Sequence, residues 1–181
     1  MQPSLSNHLA VLATAAFLAL TIPTEAIGQT ASSGEMTVKV GPRVGLDAGD
    51  IEEPFAGADV RVGLPASRIA INPTFDFYFT EEPPTFWSLS INALYRFGVD
   101  NEAFTPYSGA GLGIYRSSIE GGGESTDLGL NAVFGAEFRV GSVGPFVEAQ
   151  YSPIFTEDSP VFTEGSTTSI FSVKGGLLFE F

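Results

Sequence analysis

From Met36 to Phe181, apolar and polar residues alternate with a period of two, and this pattern constrains the fold more than any other feature of the chain. A period of two puts successive side chains on opposite faces of an extended strand, whereas a helix needs recurrence at three and four. Val38, Val40, Val44 and Leu46 oppose Lys39, Gly41, Arg43 and Asp47; Ala58, Val60 and Val62 oppose Asp59, Arg61 and Gly63. The scheme continues with Ile71, Phe75 and Phe77 against Asn72, Thr74 and Asp76, then Trp87, Leu89, Ile91 and Tyr95 against Ser88, Ser90, Asn92 and Arg96. In the second half Leu112 and Ile114 alternate with Gly111, Gly113 and Tyr115, and Leu128, Leu130 and Phe134 with Gly129, Asn131 and Glu137. Val147 and Tyr151 face away from Glu148 and Gln150, and Phe171, Val173 and Phe179 from Ser172, Lys174 and Glu180. Each segment is about ten residues long, the length a tilted strand needs to cross a bilayer.

The connections alternate as well. Short links fall at Pro65 to Arg68, Val99 to Thr105 and Gly141 to Gly144; longer polar ones fall at Asp47 to Gly57, Thr80 to Thr85, Ser117 to Thr126 and Thr156 to Thr168. Short turns at one end and longer loops at the other are the layout of a transmembrane barrel with an even strand number. The pattern predicts an all-β, eight-stranded antiparallel up-and-down transmembrane β-barrel over residues 36–181, with no second domain. Ahead of it, Leu9 to Ile22 is an apolar run of about fourteen residues, too short for a spanning helix. Pro23 breaks the run and either Thr24-Glu25-Ala26 or Ala26-Ile27-Gly28 supplies small residues for cleavage, so residues 1–28 read as a cleaved signal peptide, although His8 replaces the usual Lys or Arg near its start.

Alternation does not say which face points outward, because a secreted soluble barrel binding an apolar ligand has the same period. Three features favour lipid outside. The polar face is rich in glycine (Gly41, Gly45, Gly63, Gly109, Gly111, Gly113, Gly129, Gly135), which suits a crowded interior. Aromatics on the apolar face gather near segment ends, as at Phe79, Trp87, Tyr95, Phe97, Tyr151, Phe155 and Phe179, where interfacial girdles lie. Lys39, Arg43, Arg61, Arg96, Arg139 and Lys174 fall on the polar face with Asp59, Asp76, Glu137 and Glu148, and a charge facing lipid at midplane costs about 2–4 kcal/mol. These ten side chains are expected to form a lumen charge network, for example Arg61 with Asp76 and Arg139 with Glu148. An eight-stranded interior is narrow enough to be filled by side chains. A plug is therefore expected, and a small passive pore for ions or solutes is the alternative.

Thr105-Pro106-Tyr107-Ser108-Gly109-Ala110-Gly111-Leu112-Gly113, the stretch Gly129 to Arg139, and Pro145 to Tyr151 resemble the bacterial outer membrane protein β-barrel domain family, which includes small OmpA-like and OmpX-like barrels. The ending Phe179-Glu180-Phe181 is similar to the terminal strand by which the barrel-assembly machinery recognises its clients. The resemblance implies a bacterial outer-membrane location, outer-membrane lipid and the assembly machinery as partners, and a monomer. It carries location and fold far more than activity.

Chemistry is constrained mostly by what is missing. There is no cysteine, and the single histidine, His8, lies in the predicted signal peptide, so thiolate sites and histidine-dependent triads have no residues to use. The net charge of -13 argues against nucleic acid. Gly109 to Gly113 has the glycines of a nucleotide loop but no following helix and no nearby cation to bind phosphate. No cofactor and no catalytic residue are expected, and the function expected is a non-enzymatic surface or structural one. Acidic residues crowd the longer loops: Asp47, Asp50, Glu52, Glu53, Glu81, Glu82, Glu120, Glu124, Asp127, Glu157, Asp158 and Glu164. Of these, Asp47-x-x-Asp50-x-Glu52-Glu53 is the best local candidate for a divalent cation, yet it lacks the spacing of a calcium loop. Solvated surface charge is the plainer reading, and no metal is expected.

Overall fold

A computed structural model describes residues 36–80, 85–99, 103–119, 123–155 and 167–181. The predicted signal peptide, with Glu81, Glu82, Glu120, Glu157, Asp158 and Glu164 of the loops, lies outside the described residues. Eight strands follow in order: β1 (Thr37–Asp47), β2 (Pro54–Gly63), β3 (Ile69–Tyr78), β4 (Thr85–Arg96), β5 (Phe104–Ser118), β6 (Glu124–Phe138), β7 (Val143–Phe155) and β8 (Thr167–Glu180). Each pairs antiparallel with its sequence neighbours, and β1 also pairs with β8, closing the barrel. Closure leaves no unpaired edge, the condition a sheet must meet inside hydrocarbon.

The register carries the alternation across the sheet. Phe75, Leu89, Ile114, Leu128 and Phe155 are directly paired across five successive strands, and Pro73, Ile91, Leu112 and Leu130 form a second row. These rows face outward: Leu112 is 58% exposed, Leu128 64% and Phe134 65%. Exposed Val44 and Leu46 on β1 and Val173 and Phe171 on β8 continue the apolar surface. A band of this extent far exceeds the few hundred Å² of apolar patch that a soluble monomer shows. Glycine, amide and charged side chains instead face inward, so the alternative of a soluble barrel with an apolar interior is overturned.

The hairpins differ from expectation at two loops. β2 begins at Pro54, so the first loop is only 48–53, and β5 and β6 run on to Ser118 and from Glu124, leaving 119–123 as the loop. Polar composition there hides strand: Ser117, Ser125 and Asp127 are buried, pointing into the barrel. At the other end, the β6–β7 link is a two-residue turn, Gly141-Ser142, flanked by the Val140–Val143 bridge. Gly141 has φ +63° while Ser142 does not enter positive φ, the arrangement of a type II′ hairpin turn that needs glycine first.

A filled lumen as the candidate functional site

The polar faces of all eight strands converge on the barrel axis, and the interior divides into three levels. At the loop end an aromatic cluster fills it. Phe55 and Tyr78 lie 5.0 Å apart between ring centroids, Tyr78 meets Phe86 edge-on at 4.8 Å, and Phe86 stacks on Tyr115 at 6.4 Å. Ile154 and Ile170 complete the buried cluster, and Ile51 of the first loop packs against it. These rings fit because residues facing them are glycines. A Cβ on either Gly113 or Gly129 would stand 2.7 Å from the Tyr115 ring, closer than real contacts allow. Interior glycines are thus the complement of interior aromatics, the large-to-small matching of a packed core.

At mid-depth the side chains form a ring of hydrogen bonds closed by one ion pair. Asn72 Nδ2 donates to Asp59 Oδ1 (2.9 Å), Asn92 Nδ2 to Asn72 Oδ1 (3.5 Å) and Asn131 Nδ2 to Asn92 Oδ1 (3.0 Å). Ser152 donates to Asn131 (2.9 Å), Gln150 to Ser152 (2.8 Å) and Lys174 to Gln150 (2.6 Å). Lys174 also pairs with Glu148 at 3.2 Å, which accepts from the Tyr107 hydroxyl (2.9 Å). Tyr107 in turn accepts from Arg61 (3.0 Å), and Arg61 Nε donates back to Asp59 Oδ1 (3.0 Å). Tyr115, at the floor of the aromatic cluster, donates to Asn131 at 2.7 Å and ties the two levels together.

Arg43 of β1 reaches into this circuit from the last remaining strand. Its Nε donates to Asp76 Oδ1 at 2.7 Å, its Nη2 bonds Asp76 Oδ2, and its Nη1 lies 3.5 Å from Asp59 Oδ2. Three cations (Arg43, Arg61, Lys174) therefore balance three carboxylates (Asp59, Asp76, Glu148), all with side chains at most 5% exposed. Arg61 is further clamped between aromatic faces, 4.6 Å from the Tyr107 centroid and 4.4 Å from that of Phe146. A buried charge survives only when paired and hydrogen-bonded; here each group has an ion pair and at least one hydrogen bond, while Arg43 Nη1, Asp59 Oδ2 and Glu148 Oε1 have ion-pair contacts alone. Below, Leu94, Tyr107 and Val133 close the third level, with Phe146 and Leu178 also buried inside. Lys39, at the rim, bonds Glu137 at 2.6 Å and pairs with Glu180 at 3.3 Å.

The ten charges expected in the lumen divide between two places. Lys39, Arg43, Asp59, Arg61, Asp76, Glu137, Glu148 and Lys174 share the interior. At the turn end, Arg96, the last residue of β4, is half-buried with its guanidinium against the inward Gly63 of β2, and Arg139 alone stands outside, exposed beyond the end of β6. The partners also differ from those expected, since Asp76 is taken by Arg43 and not Arg61, and Glu148 by Lys174, Tyr107 and Arg61 and not Arg139. Alternation fixes a residue's face but not its height, and Glu148 pairs with Gly135, short of Arg139 along the chain. The circuit's amides (Asn72, Asn92, Asn131, Gln150) stand on the expected polar face but outside the expected charge network, and the inward Phe55, Phe86 and Phe146 have no place in the alternation read from sequence; their signal is parity with the polar residues and glycines of the same strands.

The acidic candidates serve the first loop itself. Asp47 is buried, and its carboxylate accepts from the backbone N–H groups of Gly49 (3.1 Å), Ile51 (2.9 Å) and Glu52 (3.1 Å). Asp50 accepts from the Ser169 N–H at 2.7 Å, while Glu52 occupies positive φ at 57°. Among the described residues no group of three or more acids, histidines or cysteines is placed to hold a metal. At the C-terminus, Phe179 pairs with Val40 and Val143 and faces outward, and the Phe181 N–H donates to Val38 O at 3.0 Å.

Comparison with known proteins agrees with this architecture. The barrel superposes on Neisserial surface protein A (NspA) with a TM-score of 0.56 at 16% identity, covering 81% of this chain and 97% of that one. It superposes on the N-terminal β-barrel domain of Pseudomonas aeruginosa OprF with a TM-score of 0.57 at 15% identity, covering 81% of this chain and all of the other. No protein of curated function matches the sequence. The model of the outer membrane protein beta-barrel domain family matches residues 8–174. The chain therefore belongs to the outer membrane protein beta-barrel domain family and is an eight-stranded barrel of the bacterial outer membrane.

Proposed function

We propose that this protein is a non-enzymatic, non-conducting outer-membrane barrel, a monomer whose work is done by its outer surface and acidic loops. The observation that carries this reading is the lumen, occupied at three levels by aromatic rings, a charge-balanced polar circuit and apolar side chains. An ion crossing it would have to displace paired, buried charges, several kcal/mol each. The same pairing argues against catalysis: Asp59, Asp76 and Glu148 are each held by a cation, so none is free to act as a general base. Lipid on the apolar band and the assembly machinery at the Phe179–Phe181 end are its expected contacts. Planar-bilayer recording tests the proposal. Silence or rare, brief events is the expected result, and steady, large conductance from the purified barrel would refute it.

A further inference from the structure

The end of the barrel opposite the acidic loops gathers three arginines. Arg68 lies on the β2–β3 turn, Arg96 ends β4 and Arg139 follows β6. Backbone hydrogen bonds set these segments side by side: Arg96 N–H donates to Arg68 O (2.8 Å) and Arg139 N–H to Ala103 O (3.0 Å). Together with Ser67, Phe97 and Thr105 the three arginines line an open cleft of about 300 Å³ that has no carboxylate among its described lining residues. None of the three guanidiniums forms an ion pair with a described residue, and nearby Glu137 is engaged by Lys39 and Arg61. Gly98 makes the seat, since a Cβ there would come within 3.0 Å of the Arg68 guanidinium carbon.

Phe97, among the lining residues, is an exposed ring, and other rings stand at the same strand ends. Tyr95 and Phe97 are exposed and meet edge-on at 5.2 Å, and Phe104 and Phe138 lie 6.4 Å apart on the neighbouring hairpin. Exposed aromatics at a strand end mark the level of the lipid headgroups, and short turns face the periplasm. From this juxtaposition we propose that the Arg68–Arg96–Arg139 cleft binds the phosphate of a phospholipid headgroup in the periplasmic leaflet. Guanidinium forks match phosphate oxygens in pairs, and three arginines line this one cleft at the strand ends, where such phosphates lie. Free phosphate shares that chemistry, but the adjoining rings fit a molecule whose other half is hydrocarbon.

Native mass spectrometry of the full chain in detergent tests this, with phosphatidylglycerol, diacylglycerol of the same acyl chains, and inorganic phosphate as separate probes. Wild type should retain one phosphatidylglycerol, and Arg68→Gln with Arg139→Gln should weaken retention by about tenfold or more, as loss of charged hydrogen bonds implies. Arg116→Gln, which removes a cation paired with Glu124 at the loop end, should change nothing. The single Arg139→Gln, at an exposed position, gives a smaller loss in the same direction and guards against misfolding of the double variant. Unchanged retention in these variants, or equal retention of diacylglycerol, overturns the proposal. Displacement of the lipid by equimolar inorganic phosphate overturns the lipid assignment in favour of a free-anion site. Asp100 and Glu102 of the adjacent turn lie outside the described residues. Retention that appears only in Asp100→Asn with Glu102→Gln would also overturn it, because those acids would then occupy the arginines.

Discussion

Replacing Arg43 by methionine isolates what the lumen circuit contributes. The side chain is fully buried and supplies both hydrogen bonds that Asp76 accepts from side chains among the described residues. Asp59 would keep Arg61 and Asn72, at 3.0 and 2.9 Å, but Asp76 would be left a buried carboxylate without a partner. Breaking a buried pair from one side costs about 3–5 kcal/mol, and both partners are too enclosed for solvent to screen the loss. Removing the stranded charge as well, in Arg43→Met with Asp76→Asn, should recover much of this, with a coupling of about 2–3 kcal/mol. Urea unfolding from phosphatidylcholine vesicles, followed by fluorescence of Trp87, the only tryptophan, measures each variant. The reasoning fails if Arg43→Met costs less than about 1 kcal/mol, the range of an exposed pair. It fails equally if the double variant costs the sum of the two singles, since the residues would then not be coupled.

Other expectations follow from the same packing. Gly129→Leu drives a side chain into the Tyr115 ring and should destabilise by about 1–3 kcal/mol in the same unfolding assay. Leu130→Arg, on the outer face midway along β6, should cost about 2–4 kcal/mol in vesicles, while nearby outward positions at strand ends tolerate arginine better. Ala66, at φ 53° in the β2–β3 turn, is a non-glycine residue in the left-handed region, so Ala66→Gly should raise the unfolding midpoint, by up to about 1 kcal/mol in stability.

The strand pattern was legible because burial here is inverted but still two-faced: each outward Val or Leu is separated from the next by a glycine or polar residue. Face assignment followed from that parity, as at Leu128, Asn131 and Phe134. Loop boundaries were less legible, since Ser117, Ser125 and Asp127 are polar whether they sit in a loop or line a lumen. Charge partners were least so. Which cation meets Asp76 depends on the heights that barrel closure gives to β1 and β3, and those two strands are not neighbours in the sheet. The inward aromatics were masked for a related reason, because Phe55 and Phe86 stand at the ends of strands where outward girdles are also found.

The orientation of the two faces is the claim on which everything else rests, and a native chain without cysteine makes it directly measurable. Single cysteines placed in turn along β6 from Leu128 to Phe134, labelled with a fluorophore in vesicles, report contact with a quencher carried on the lipid chains. Strong quenching at 128, 130, 132 and 134, with protection at 129, 131 and 133, is the predicted result. Quenching in the opposite phase, or without period two, would contradict the account.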